Sequence, residues 1–269
     1  GFELKRNDLR YPIPRDRLFA LAGSTVDAVR RRAKYLLVDL CGPPCDGSML
    51  LVHLGMSGRL FVTDEPDPPW LVHEHWRGRF DGERGQQLLR YQDARRFGAL
   101  DVVDEQGEAG HRLLARLGVE PLEGAFDGPW LWQQTRGSRM RIKAWLMDAR
   151  KVVGVGNIYA SEACYRARVH PMKLAKQLSR PAALRLAAAV KSVLDDAIAA
   201  GGSSLRDFVG GDAAPGYFQQ QLDVYGRFGE PCPRCRQRGA IDRNTAQCPR
   251  VKRRVLQGRA TYFCARCQR

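Results

Sequence analysis

The sequence predicts an α+β protein in three parts: an N-terminal antiparallel β-sandwich over residues 1–120, a helical part over 121–226 and a small four-cysteine tail over 227–269. Three observations carry that division. Residues 1–120 hold short alternating or apolar runs separated by Gly, Pro and Asp clusters, the texture turns helical from Pro129, and four cysteines near the end fall as two Cys-x-x-Cys pairs.

In the first part the runs Tyr35–Leu40, Met49–Leu54, Arg59–Val62, Leu88–Tyr91 and Ala99–Val103 have strand length and end at turn formers, as in a sandwich or barrel. In the second, Lys143 to Asp148 reads as a helix running into a tight turn, Val152-Val153-Gly154-Val155-Gly156, that opens another helix at Asn157. Leu186, Val190, Val193, Leu194 and Ala197 recur at helical spacing, Pro181 suits a first turn and Gly201-Gly202 stop the helix, which packs on a core. The glycine-rich stretch Asp207–Gly229, with Pro215 and Tyr217, reads as a long loop, and long ordered loops are often functional.

In the tail, Cys232, Cys235, Cys264 and Cys267 can close a tetrahedral site around one structural Zn²⁺, whose binding energy would fold a segment with few apolar residues into a hairpin. Cys41, Cys45, Cys164 and Cys248 read as reduced thiols, because disulfide frameworks belong to small secreted chains. Cys248, between the two knuckles, is a possible substitute ligand.

Lys and Arg number 44 against 29 Asp and Glu in 269 residues, a formal charge of +15, with a pI near 9.9. That balance favours polyanions and salt-sensitive binding. No apolar run approaches the roughly 20 residues of a spanning helix, and the first residues lack a signal pattern, so a membrane is not the expected partner. A nucleic-acid phosphate backbone is, and the default address of the chain, expected to be a monomer, is cytoplasmic, in the cytosol or at the nucleoid.

Single residues leave the chemistry open. Gly154 and Gly156 before a helix start could admit a phosphate or simply connect two helices. Lys34 alone would be a solvated strand-edge charge, and Met56 and Phe97 ordinary strand core.

The assembled blocks change this. Arg31-Arg32-Ala33-Lys34-Tyr35-Leu36-Leu37, His53-Leu54-Gly55-Met56-Ser57-Gly58, Asp93-Ala94-Arg95-Arg96-Phe97-Gly98, the turn through Asn157 to Glu162, Pro215-Gly216-Tyr217-Phe218, Val224-Tyr225-Gly226-Arg227 and the closing cysteines stand in one order. That series resembles the formamidopyrimidine-DNA glycosylase and endonuclease VIII family, with its helix-two-turn-helix and zinc finger.

The resemblance implies a base-excision enzyme, a glycosylase and AP lyase, that flips an oxidised purine such as 8-oxoguanine from duplex DNA and nicks the strand by β,δ-elimination through a Schiff base. It makes Met56, Arg95 and Phe97 the side chains that fill the vacated stack. It makes Lys34 the lysine at the lesion phosphate, and Arg259 the finger-tip arginine of δ-elimination. It gives His73, or the nearby His75, a DNA contact, Arg139 or Arg141 with Lys143 the phosphate contacts before the turn, and Asn157 a phosphate at the helix start. Ser203 and Tyr217 would belong to a loop over the everted base, which favours the formamidopyrimidine branch over an endonuclease VIII-like enzyme for oxidised pyrimidines.

Two departures stand out. Between Cys235 and Cys264 lie 28 residues, a longer spacer than family fingers carry, which loosens the placement of Arg259. The family's N-terminal Pro-Glu opening does not precede Asn7-Asp8-Leu9-Arg10-Tyr11-Pro12, which matches a strand further into the family. A truncated start, a non-catalytic zinc-dependent DNA binder and a variant using the Gly1 amine are the competing expectations. The first two imply a chain that binds DNA but is impaired in base excision.

Overall fold

A computed structural model describes residues 1–43, 47–82, 85–104, 107–202, 221–237 and 248–269. Ser203, Tyr217 and the glycine-rich stretch before residue 221 lie outside the described residues, as does the middle of the finger's spacer. The described chain forms two compact units, one ending at Arg116 and one beginning at Leu117.

The first unit runs β1 (Phe2–Leu4), α1 (Arg15–Ala20), β2 (Thr25–Arg32), β3 (Tyr35–Cys41), β4 (Met49–His53), β5 (Gly58–Thr63), β6 (Glu74–Gly82), β7 (Gly85–Asp93), β8 (Ala99–Val103) and α2 (Gly107–Gly110). Its strands make two four-stranded antiparallel sheets, ordered β1-β6-β7-β5 and β2-β3-β4-β8. All five predicted runs are strands. Between the sheets, Leu50, Val52, Leu100 and Val102 from one meet Trp76 and Tyr91 from the other, joined by Leu9, Ile13, Leu18 and Leu21. Trp76 and Tyr91 stack with ring centroids 5.4 Å apart. Burying each such side chain contributes about 1.5–3 kcal/mol.

Strand β2 escapes sequence reading because its alternation is not buried: Val26 and Val29 stay 50% and 61% exposed. Strand β6 escapes it because the residues it buries are polar. Glu74 lies between Arg77 and Arg90, accepting from Arg77 Nε at 2.7 Å and Arg90 Nη2 at 2.6 Å. Burial pushes the Glu74 carboxyl up, but hydrogen bonds from Arg90, Arg77 and the Leu71 amide outweigh it and hold the group at about 2.

The second unit holds α3 (Gly128–Thr135), α4 (Ile142–Leu146), α5 (Asn157–Arg166), α6 (Arg180–Ala199), α7 (Pro233–Gln237), β9 (Lys252–Leu256) and β10 (Arg259–Phe263). Helix α6 starts where Ser179 caps the Ala182 amide, with Pro181 in its first turn. It stops as predicted: Gly201 and Gly202 take φ of 71° and 92°, so their amides reach Ile198 O at 3.0 Å and Ala197 O at 2.7 Å. Its predicted face, Leu186, Val190, Val193, Leu194 and Ala197, is buried against α3, α4 and α5. Helices α3 and α6 touch so closely that a Cβ on Gly128 would lie 2.6 Å from the Leu184 Cα. No described helix is long and apolar enough to cross a membrane.

Candidate nucleic-acid interface

In the first unit, strand sequence runs out into four surface turns. Strands β2 and β3 are joined by Ala33 and Lys34, with Ala33 left-handed at φ 55°. Ala33 is buried and Lys34 exposed, so the hairpin turn holds the lysine in solvent. The turns after β4 and β7 carry Met56, Arg95 and Phe97. Met56 is 57% and Phe97 45% exposed, and the Arg95 guanidinium lies 4.8 Å from the Phe97 ring centroid. Neither apolar side chain is strand core. Both turns converge on Asp93, whose carboxylate is fully buried.

The fourth turn, Trp70 to His73, is anchored backbone first. Arg90 donates to Pro69 O at 2.8 Å, Leu71 N to Glu74 at 2.7 Å, Gln92 to Val72 O at 2.6 Å and Asp93 N to His73 O at 2.9 Å. His73 sits at φ 62° and is exposed. The two histidines do not exchange places: His75 is buried, its Nε2 2.8 Å from the Asp93 carbonyl.

In the second unit, α4, a turn and α5 form the paired helices expected around Asn157. Gly154 takes φ 77°, a conformation unfavourable for any residue with a Cβ. The centre of this region is Lys143. It is only 1% exposed and donates to Asn157 Oδ1 at 2.6 Å, Thr261 Oγ1 at 2.8 Å and Ala260 O at 3.1 Å. Lys143 therefore differs from the expected phosphate contact, because all three of its protons are spent inside the protein. Burial pulls its ammonium down to about 8, opposed by Cys164 and helped by Arg259.

Asn157 is half-buried at the first position of α5. Its amide also donates to the Tyr225 hydroxyl at 3.1 Å. Tyr225 is fixed in turn by Glu162, a buried carboxylate that accepts from the Asp223, Val224 and Tyr225 amides at 2.8 to 3.0 Å. Burial raises the Glu162 pKa, and those three amides act against it. Arg139 and Arg141 are exposed beside α4, Arg141 donating to Met172 O at 2.7 Å.

Strands β9 and β10 form the tail's hairpin, turning through Gln257 and Gly258 at φ 50° and 72°, the left-handed pair a two-residue hairpin turn needs. Arg259 opens β10 beside that tip and is exposed, as are Lys252, Arg253 and Arg254. Arg259, Lys143, Met140, Met147, Asp148 and Arg150 line a cleft of about 280 Å³.

At the hairpin's base the sulfurs of Cys232, Cys235, Cys264 and Cys267 all lie within 4.8 Å of one another. A zinc ion with Zn–S bonds near 2.3 Å sets its sulfurs about 3.8 Å apart; two pairs stand at 3.7 and 3.9 Å and a third, Cys235 with Cys267, at 3.1 Å. The donor set and its size fit one structural zinc. Cys248 is buried beside this group but does not belong to it, its sulfur pointing to the Cys232 and Pro249 carbonyls. The Tyr165 hydroxyl on α5 reaches Cys232 Sγ at 3.4 Å and accepts from the Arg234 amide at 3.0 Å, which fastens finger to helix.

Sequence reasoning misses Asp93, Ser57, Glu162 and Tyr225 as parts of these regions, although each lies inside a block it singles out.

Comparison with known proteins agrees with this geometry. Residues 2–100 match the family model described as formamidopyrimidine-DNA glycosylase N-terminal domain, and residues 117–209 the model described as formamidopyrimidine-DNA glycosylase H2TH domain. A formamidopyrimidine-DNA glycosylase of Aromatoleum aromaticum is 47% identical over 270 residues, spanning 100% of this chain and 91% of that protein. One from Teredinibacter turnerae is 43% identical over 98% of this chain and 90% of its own length. Among solved structures, the Thermus thermophilus protein superposes with a TM-score of 0.75 at 39% identity, covering 93% of this chain and 85% of that one. A Lactococcus lactis mutant in complex with Fapy-dG-containing DNA gives 0.83 at 29% identity, covering 100% and 91%.

Proposed function

This chain belongs to the formamidopyrimidine-DNA glycosylase family, and from that premise we propose that it excises oxidised purines from duplex DNA and nicks the resulting abasic site. The observation that carries the reading is the exposed trio Met56, Arg95 and Phe97. A chain with a well-formed core leaves two large apolar side chains in water on anchored turns, one with a cation stacked on it, which is the equipment for wedging a base stack open.

In the first unit Met56 takes the place of the flipped nucleotide, while Phe97 and Arg95 unstack and contact the base left behind. Lys34 touches the lesion's phosphate and assists β-elimination, and His73 contacts backbone phosphate. In the second unit Asn157, Arg139 and the exposed hairpin cations bind phosphate, with Arg259 serving δ-elimination. Lys143 acts behind them, orienting Asn157 and the hairpin strand. Ser203 and Tyr217 belong to the loop over the everted base. The protein works in the cytoplasm at the nucleoid, where its substrate lies. The three-part division at residues 120 and 226 corresponds to base-stack opening, phosphate binding and the zinc finger.

Zinc supplies structure here, holding the hairpin that presents Arg259. Elimination chemistry needs a phosphate leaving group neutralised as the C–O bond breaks, and a fixed guanidinium supplies that charge better than a mobile one.

The test is incubation of the full gene product with duplexes carrying 8-oxoguanine opposite cytosine or an oxidised pyrimidine. Preferred cutting at 8-oxoguanine, with phosphates left on both sides of a one-nucleoside gap, is expected. Preference for the pyrimidine would move the protein to the endonuclease VIII branch, and binding without cutting would make it a DNA-binding relative.

A further inference from the structure

The two turns that carry Met56, Arg95 and Phe97 are built as one rigid piece. Gly55, at φ 67°, lies so close to the other turn that a Cβ there would sit 2.6 Å from both Gly98 N and the Phe97 carbonyl carbon. A Cβ on Gly98 would fall 1.7 Å from the Tyr91 hydroxyl. His53 spans the same gap, its Nδ1 accepting from Gly55 N at 3.1 Å and its ring bonding the Phe97 backbone.

At the centre stands one carboxylate. Asp93 Oδ1 accepts from Ser57 Oγ at 2.6 Å and Arg95 N at 3.3 Å, and Oδ2 from Gly98 N at 2.9 Å and Tyr91 OH at 3.0 Å. The Ser57 oxygen itself accepts from Arg95 N at 3.2 Å. One oxygen thus holds the Met56 turn and the start of the Arg95 turn, while the other holds the far end of the Arg95 turn. The Asp93 backbone reaches further, its N–H donating to His73 O and its carbonyl meeting His75.

We propose that Asp93 is a positioning residue for base-stack opening: its buried carboxylate locks the Met56 turn and the Arg95–Phe97 turn together so that the wedge enters DNA preformed. The proposal rests on the wedge reading above. The chemistry asks for a carboxylate, since two oxygens must accept four donors, and two of those donors are backbone N–H groups that cannot turn away. An asparagine of the same shape places an NH₂ against donors at one of the two ends. Tyr91 can rotate its proton, but Gly98 N–H or Arg95 N–H then faces another donor, and that turn must move. A wedge that is flexible before binding must be ordered during it, and misplacement of about 1 Å in a preorganised group costs ten- to a hundredfold.

The test uses the full chain and a duplex with a tetrahydrofuran abasic analogue opposite 2-aminopurine, whose fluorescence rises when it is unstacked. Wild-type protein at saturation should raise it. Asp93→Asn should give less than half that rise and bind this duplex roughly tenfold more weakly. Its affinity for undamaged duplex, and the salt dependence of that affinity, should match wild type, which a general loss of structure would not allow. Ser57→Ala, which removes one donor and leaves the carboxylate, should show a smaller loss in the same direction and serves if the first variant is unstable. A full wild-type rise with both variants overturns the assignment of Asp93 alone. A flat wild-type trace overturns the wedge reading and this inference with it.

Discussion

The two candidate DNA-binding regions solve one problem with opposite charges. In the first unit a buried anion, Asp93, gathers N–H and O–H donors from turns whose tips are apolar. In the second a buried cation, Lys143, gathers oxygens from α5 and the hairpin, whose tips are polar or basic. The anion fixes backbone amides, so it sets where Met56 and Phe97 stand. The cation fixes a side chain and a strand, so it sets the angle of Asn157 and the hairpin. A wedge is shaped by main-chain path and a phosphate clamp by side-chain reach, and each hub matches its task.

The regions also differ in what closes them. The first is local, its partners in sheet and turn between His53 and Gly98. The second depends on a metal and on contacts such as Lys143 with Thr261, 118 positions apart. Zinc removal should therefore have the largest effect. Chelation forfeits on the order of 10 kcal/mol of binding energy, so the hairpin should become protease-sensitive and DNA affinity should collapse while the sandwich keeps its near-ultraviolet circular dichroism. Metal analysis should find one zinc per chain. A zinc-free protein with intact DNA affinity would remove the distinction.

Next comes Lys143→Met. It preserves apolar volume and abandons one buried acceptor, Thr261, and two half-buried ones, Asn157 and Ala260, at up to about 1–3 kcal/mol for the buried one, so thermal unfolding should show a loss of a few kcal/mol. An unchanged melting temperature would mean that Asn157 and the hairpin are held by something else.

Phe97→Ala should separate function from stability. The ring is 45% exposed, so stability should move by only about 0.5 kcal/mol. Affinity for abasic duplex should drop about tenfold, as one stacked aromatic contributes roughly 1–3 kcal/mol, with an unchanged salt slope. Arg254→Ala should do the reverse, lowering the slope by about 0.9 for one lost phosphate with no loss of lesion preference.

The smallest effect is in pH. Burial, then Lys34 and Arg10, hold the His53 pKa below its ordinary value, so the fold prefers the neutral ring that accepts from Gly55 N. Neutral His53 contributes stability that is full above about pH 6.5 and lost as pH falls through the lower folded value. The wild-type melting temperature should therefore fall over that acidic range more than that of His53→Gln, and parallel curves would show that His53 does not couple the turns.

What the sequence discloses follows the range of the interactions. Strands β3, β4, β5, β7 and β8, helix α6 with its glycine stop, and the four zinc ligands are legible because their signals repeat within a few residues. The wedge residues are legible only as parts of longer blocks, since composition reads Met56 and Phe97 as core. Asp93 stays hidden although it heads its block, because its value lies in Ser57, 36 positions away. The burial of Lys143, expected at a phosphate, stays hidden for the same reason: nothing near it in sequence shows that Thr261 and Ala260 close over it. Strand β6 hides behind buried Glu74 and Arg77, where an ion cluster replaces the apolar alternation that marks a strand.

The most direct test of the functional reading is borohydride trapping of the full gene product on duplex DNA containing 8-oxoguanine. A covalent protein–DNA adduct on that duplex and none on undamaged DNA is the expected result, because excision through a Schiff base leaves a reducible bond. A protein that binds the damaged duplex tightly but never traps would contradict glycosylase chemistry and leave a zinc-dependent DNA binder in its place.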